Sequence, residues 1–431
     1  MGLYNLEGLL DSVNFLWGPL RDKRKGAHDS DNFSLGPRFG FAYTADSRGD
    51  FVIRGGFGVN FQSYDPTTYD EFIQRTVELP DRRTFTRAES AALGLRWPLY
   101  EEDVTKLIQA EGNVLGGIGR RYNPHMVPPY AMNYTLGFQR ALTRSLVLET
   151  AYVGTRGVKF NLYRNFNDVD RVTGLRPNPN DITGPYLDNS GQSNYNSWQT
   201  SLRQRMTRGL LFNLHHTWGK ALSYNGGDVA PGHIGDSRGD VQDFALVKLE
   251  RALSTGDIMH YVAADWVYEV PGLFRNSRAA QRVLGGWQFS GIFRANSGPA
   301  LGVTQTGGRP DILDIKNQVN KECCGFGRLQ YLNPAAYRLV PVSSASSRTV
   351  RRGEANATPV RGPGNWNVDF SLGKNFPITE GKTLELKADL QNALNHTQYI
   401  NVSTNLSGIN FGQVNGTRTA RVVQLQLRFA F

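Results

Sequence analysis

The sequence predicts an all-β protein, an antiparallel transmembrane β-barrel of about 11–12 strands with long loops at one end and short turns at the other. Three observations predict it. Segments of alternating apolar and polar residues recur from residue 33 to the C-terminus. The links between them alternate strictly between short and long. No apolar run reaches the roughly 18 residues that a membrane-crossing helix needs, so any crossing falls to strands.

In chain order, Phe33, Leu35, Phe39, Phe41 and Tyr43 share the apolar face of a first strand. Phe51, Ile53, Phe57, Val59 and Phe61 form a second set, and Tyr130, Met132, Tyr134, Leu136 and Phe138 a third. Residues 146–154 make a weaker fourth strand, because Val147 and Val153 fall on its polar face. Trp198, Leu202 and Met206 align in the fifth, and Phe212, Leu214 and Trp218 in the sixth. Residues 259–270 and 287–295 are mixed. Trp366, Val368, Phe370 and Leu372 alternate with Asn367, Asp369, Ser371 and Gly373. Leu384, Leu386, Ala388 and Leu390 alternate with Glu385, Lys387, Asp389 and Gln391. The last strand has the cleanest period, with Val423, Leu425, Leu427, Phe429 and Phe431 on one face. Charges at every second position of consecutive strands fit a wet interior better than a dry core.

Short links fall at 45–50, 142–145, 207–209, 272–284 and 374–381, and long links at 62–129, 159–193, 223–255, 297–364 and 394–420. An outer-membrane barrel turns briefly in the periplasm and loops outside, which puts Phe431 in the periplasm. The long links are rich in Gly, Pro, Asn, Asp and Ser, which favours irregular structure. Residues 88–93 and 101–110 are candidate short helices in the first long link.

Composition agrees. The 47 glycines and 11% aromatics suit a β-protein with many turns, and a mean hydropathy of −0.42 is compatible with strands that are polar at every second position. The net charge of +10 comes from scattered Lys and Arg with no nucleic-acid motif, so no nucleic-acid partner is expected. Cys323 and Cys324 are adjacent; a vicinal disulfide and two loop thiols both remain open.

No catalytic, metal or cofactor site emerges. Gly381-Lys-Thr383 ends like a phosphate-binding loop but lacks its first glycine, since Phe376 stands there. His215 and His216 point to opposite faces of one strand, and the other histidines read as isolated. With the apolar faces toward lipid, Arg54, Arg203, Arg205, Arg294, Lys387, Asp389 and Arg428 face the lumen, where they line a path for solute, contact a plug or serve as ordinary solvated wall. Tyr43, Trp218, Trp266 and Trp287 are candidates for interfacial aromatic girdles.

Several strings resemble one family. They are Asn32-Phe-Ser-Leu-Gly-Pro-Arg-Phe-Gly-Phe-Ala-Tyr43, Ile53-Arg-Gly-Gly-Phe-Gly-Val59, Tyr152-Val-Gly-Thr-Arg-Gly157, Trp218-Gly-Lys-Ala-Leu222, Gly285-Gly-Trp-Gln-Phe-Ser-Gly-Ile-Phe293 and Ala388-Asp-Leu-Gln-Asn-Ala-Leu-Asn-His396. Together, from Asn32 to the C-terminus, they resemble the C-terminal barrel portion of TonB-dependent outer-membrane receptors, especially the Oar-like branch that carries a carboxypeptidase-regulatory-like domain. The resemblance implies a plugged barrel of about 22 strands, energised through a TonB complex and importing a solute that the sequence does not identify. It also implies that Val423, Leu425, Leu427, Phe429 and Phe431 form the signal read by the barrel assembly machinery. No plug, TonB box or export signal is recognisable in residues 1–431, so the expectation is a fragment supplying part of the wall. Residues 1–31 are expected to be an N-terminal segment, with a candidate extra strand at 2–20, and residues 32–431 the barrel portion. Partners are then outer-membrane lipid, the assembly machinery and, only through a plug, the TonB complex. A passive porin, a surface adhesion protein and a soluble secreted β-protein are the alternatives.

Overall fold

The computed structural model describes residues 34–62, 87–92, 94, 121–123, 125, 127–179, 184–224, 241–243, 246–254, 256–271, 285–324, 327, 329–356, 358–379 and 381–431. The expected N-terminal segment, the candidate strand at 2–20, the candidate helix at 101–110 and the short link at 272–284 lie outside them. The candidate helix at 88–93 is present as Arg87–Ala92.

Eleven long strands carry the fold: β1 Arg38–Thr44, β2 Phe51–Phe61, β3 Tyr130–Ala141, β4 Leu146–Phe166, β5 Gly184–Thr207, β6 Leu210–Tyr224, β7 His260–Glu269, β8 Trp287–Asn296, β9 Asn365–Thr379, β10 Lys382–Gln391 and β11 Val422–Ala430. Each pairs antiparallel with its chain neighbours in one up-and-down sheet. Two short strands join it: Arg121–Tyr122 lies parallel to β5, and Arg251–Leu253 antiparallel to β6. Among the described residues β1 and β11 each pair on one side only, so the sheet is open.

The register joins the apolar residues into one face. Phe39, Phe41 and Tyr43 oppose Phe57, Gly55 and Ile53, which oppose Tyr134, Leu136 and Phe138. The face continues through Tyr152, Trp198 and Trp218, then through Leu214, Ala264 and Phe293 to Val368. It ends with Leu390 against Val423 and Leu386 against Leu427. This face is bare: Leu425 is 75% exposed and Phe39 67%. In water that area would drive association; facing hydrocarbon it needs no protein cover. Tyr43 and Trp287 stand near the short-turn end of this face, and Trp218 and Trp366 near the long-loop end.

Glycines on the apolar face make room for aromatic rings. Phe41, Tyr134 and Trp266 lie over Gly55, Gly154 and Gly291 of the adjacent strand, where an added Cβ would overlap the ring. Gly154→Ala is therefore expected to destabilise the folded wall by about 1 kcal/mol, at the low end of overpacking costs because the Tyr134 ring can swing aside. Urea titration of the heat-modifiable mobility of the folded protein measures this.

The short link between β5 and β6 is a tight turn. Arg208 and Gly209 both have positive φ (51° and 81°) between Thr207 and Leu210, the two-residue hairpin geometry that matches strand twist. The long links differ from expectation. Much of 159–193 is not loop, because β4 and β5 run for 21 and 24 residues and stay paired as far as Phe166 and Gly184. The ladder survives beyond residue 157 by register shifts on either side of Phe160, which is how a strand absorbs an unmatched residue without losing its other hydrogen bonds. β6 likewise continues to Tyr224, because Arg251–Leu253 pairs with its end.

The buried apolar side chains lie almost wholly beyond the wall. Val303, Leu332, Ala336, Tyr337, Val360 and Phe411 form a closed cluster, with Leu301, Ile312, Val319, Tyr331, Val402 and Leu406 against it. These residues come from the β8–β9 and β10–β11 links, which pack into a folded cap. Cys323 and Cys324, in the β8–β9 link, are joined as a vicinal disulfide.

Candidate functional site

The face opposite the apolar one is polar, and the register places Arg54, Arg203, Arg294, Lys387, Asp389 and Arg428 on it. Arg205 follows Arg203 at the end of β5. They do not form one cluster. Arg54, Arg203, Arg205 and Arg428 stand toward the short turns, whereas Arg294, Lys387 and Asp389 line a concave cleft of 1060 Å³ toward the long loops. Among the described residues, Arg54, Arg203, Arg205, Arg294 and Arg428 make no ion pair within 4.0 Å, while Lys387 Nζ lies 3.1 Å from Asp389 Oδ1.

Acidic residues other than Asp389 share this face. Asp265 and Asp369 flank Ile292 on adjacent strands, and both line the cleft. Asp265 accepts a hydrogen bond from Asn213 Nδ2 at 2.8 Å. Asp369 accepts from Asn367 Nδ2 at 2.8 Å and from the Asn392 backbone N–H at 2.9 Å. Glu149, Glu269 and Glu385 stand near the lower arginines, with Glu385 directly opposite Arg428. The inner face is thus mixed in sign. The alternation around Asp369 carried the signal for its orientation; the irregular period of β7 hid Asp265.

The string Ala388–His396 proves to be structural. Asn392 and Asn395 adopt positive φ (47° and 50°), a conformation Asn tolerates well. Asn392 Nδ2 donates to the His396 carbonyl at 3.0 Å, and His396 stacks on Trp366 with ring centroids 4.0 Å apart. This ties the β10–β11 link to the top of β9, beside the cleft. His260 is not isolated: its ring stacks on His216 at 5.6 Å and on Trp218 at 6.3 Å, all on the apolar face. Only the pairing of β6 with β7 reveals this.

Buried and part-buried ion pairs bind the links to one another. Glu250, fully buried at the end of a short 3-10 helix (Val247–Glu250), meets Arg309 Nη1 at 2.7 Å and Arg352 Nη2 at 3.3 Å. Asp257 pairs with Arg361, and Asp168 with Arg348. The Gln242 side chain exchanges two hydrogen bonds with the Gly353 backbone, at 3.2 and 3.3 Å. Arg171 donates to Thr349 Oγ1 at 2.9 Å; burial, and then the neighbouring Arg348, lower its pKa. Asp311 takes Arg351 on both oxygens, at 2.9 and 2.6 Å, with Arg338 at 3.0 Å, and these donors hold its carboxyl down at about 2. Tyr331 donates to the Arg361 carbonyl at 2.9 Å, and burial raises its pKa to about 12. The β4–β5, β6–β7 and β8–β9 links are therefore electrostatically one unit.

Comparison with curated proteins finds no match. Among solved structures, the outer membrane transporter YddB from Escherichia coli aligns with a TM-score of 0.48 at 10% identity, over 93% of this chain and 41% of its own. FpvA of P. aeruginosa, solved bound to heterologous pyoverdines, gives 0.44 at 10% identity, over 92% and 33%. The FrpB iron transporter from Neisseria meningitidis gives 0.41 at 12% identity, over 92% and 39%. The chain spans less than half the length of these structures. The family model described as outer membrane beta barrel domain matches residues 11–424, so the chain belongs to that family and is a protein of the bacterial outer membrane.

Proposed function

We propose that the chain supplies part of the wall and the outer loops of a TonB-dependent transport receptor, with no catalysis of its own. The observation that carries this reading is a sheet predominantly apolar on one side and mixed in charge on the other, with described residues of its long links packed into a cap. The inner face is the lumen wall. Arg294, Lys387 and Asp389 with Asp265 and Asp369 line the solute path below the cap, and Arg54, Arg203, Arg205 and Arg428 face the periplasmic half. A packed cap gives a solute a shaped surface to bind, which a simple sieve does not need. Energisation requires a plug that contacts the TonB complex, and the resemblance of residues 32–431 to receptor barrels supports one.

The test is solute uptake by cells with and without an energised TonB complex. The reading expects uptake that depends on both this gene and energisation. Steady conductance of the purified protein in planar bilayers, with uptake indifferent to energisation, would replace it with a passive pore.

The terminal strand is proposed as the handle for the assembly machinery. Val423, Leu425, Leu427 and Phe429 present a continuous outward row that ends in Phe431. Deleting Phe431 is expected to lower the folded outer-membrane protein several-fold while leaving synthesis unchanged, measured by heat-modifiable mobility of membrane fractions. Undiminished assembly would leave the row with lipid contact as its sole task.

A further inference from the structure

The outward face is not apolar to its top. Above Leu136, Leu148 and Leu202 comes a row of Tyr134, Tyr152, Trp198 and Trp218. Both tyrosine hydroxyls donate to Asn196 Oδ1, at 2.9 and 2.7 Å. Immediately above that row three cations point outward from β4, β6 and the short strand beside β6. Arg156 of β4 stands opposite Asn194, Lys220 of β6 opposite Asn196, and Arg251 opposite Tyr224, with its Nη2 3.5 Å from Asn194 Oδ1. Two inter-strand spacings separate β4 from β6 and three separate it from the strand of Arg251, so the three charges lie on the order of 10 to 15 Å apart around the two asparagines.

The setting is unusual for surface arginines and lysine. All three are exposed, and none has an ion pair within 4.0 Å among the described residues. Every described outward position of β3, β6 and β7 lacks a carboxylate, as do those of β4 from Leu146 to Arg156 and of β5 from Asn194 to Gln204. Aromatic rings that mark the hydrocarbon boundary lie directly below. Positive charge that no described carboxylate pairs, at the height of the interfacial rings, suits the anionic headgroups of a lipid leaflet.

We propose that Arg156, Lys220 and Arg251, with Asn194 and Asn196 as hydrogen-bonding floor, form a binding site for a phosphate-bearing lipid of the outer leaflet. The headgroup phosphates take the cations, and the acyl chains run down over the aromatic row toward Leu148, Leu202 and Leu214. The site rests on the orientation that puts the long loops outside. Maleimide labelling of Ser344→Cys, an exposed cap position, on intact cells checks that orientation separately, with the unsubstituted protein as control.

The test titrates the folded, detergent-solubilised chain with lipid A, a phosphorylated glycolipid, and counts bound lipid by native mass spectrometry. The expected result is one retained lipid. Arg156→Gln, Lys220→Gln and Arg251→Gln together should weaken it about tenfold to hundredfold, from the strength of single basic contacts near a charged lipid surface. Arg156→Lys with Arg251→Lys should bind within about threefold of the original, since the lipid-surface attraction follows charge, and Arg140→Gln, outward at the opposite, short-turn end of β3, should leave the count of bound lipid unchanged. Arg156→Gln alone, with unchanged heat-modifiable mobility, guards against misfolding of the triple variant and should still show a loss. Equal binding by the triple variant overturns the proposal. So does equal binding of dephosphorylated lipid A. Displacement of the lipid by inorganic phosphate at comparable concentration makes the cluster a plain anion site and also overturns it.

Discussion

Glu250→Ala should loosen the cap by about 3–5 kcal/mol, the usual cost of removing one partner from a buried ion pair. Glu250 is fully buried, and its loss strands the guanidinium of Arg309, itself nearly buried, and of Arg352. It also removes the acceptor for the Gln242 backbone N–H at 3.1 Å. Glu250→Gln keeps that acceptor and should cost less. Hydrogen exchange across 297–364 reads the effect, and it should rise while exchange within β1 to β3 stays unchanged. Equal protection in Glu250→Ala and the unsubstituted protein would mean that the apolar cluster holds the links together without this carboxylate.

Acidification should weaken the same cap through Asp311. Its carboxyl titrates at about 2 in the folded chain against an ordinary 3.8, chiefly because Arg351 donates to both oxygens. A depressed folded value stabilises the charged form. The contribution, about 2 kcal/mol, is complete above the unfolded value and is lost as pH falls from near 4 toward 2. Proteolysis of the cap measured over that range should steepen, and Asp311→Asn should flatten the response while lowering stability at neutral pH.

The wall was legible because its physics is periodic. A membrane-facing strand must alternate, so Phe51 to Phe61 and Leu384 to Leu390 announced their faces, and the pairing of short and long links gave the direction. β4 and β5 were underestimated because the turn-forming residues of 176–191 look like loop, yet several sit in a bulged ladder. The cap was not legible. Val303, Leu332 and Phe411 come together from two links with no common period, and Glu250 lies more than 50 residues along the chain from both Arg309 and Arg352. The inner cations could be read from parity, but their division into two levels, and the company of Asp265 and Asp369, follow only from register between strands.

The location of the buried apolar side chains divides the molecule thermodynamically. The cap hides its core from water, so unfolding it exposes hydrocarbon to solvent and carries the positive heat-capacity increment of a small soluble domain. The wall turns its apolar side to lipid, which does not order around it as water does. Cooling weakens the first kind of stabilisation and leaves the second almost untouched. The cap is therefore the part expected to loosen in the cold, above a wall that changes far less.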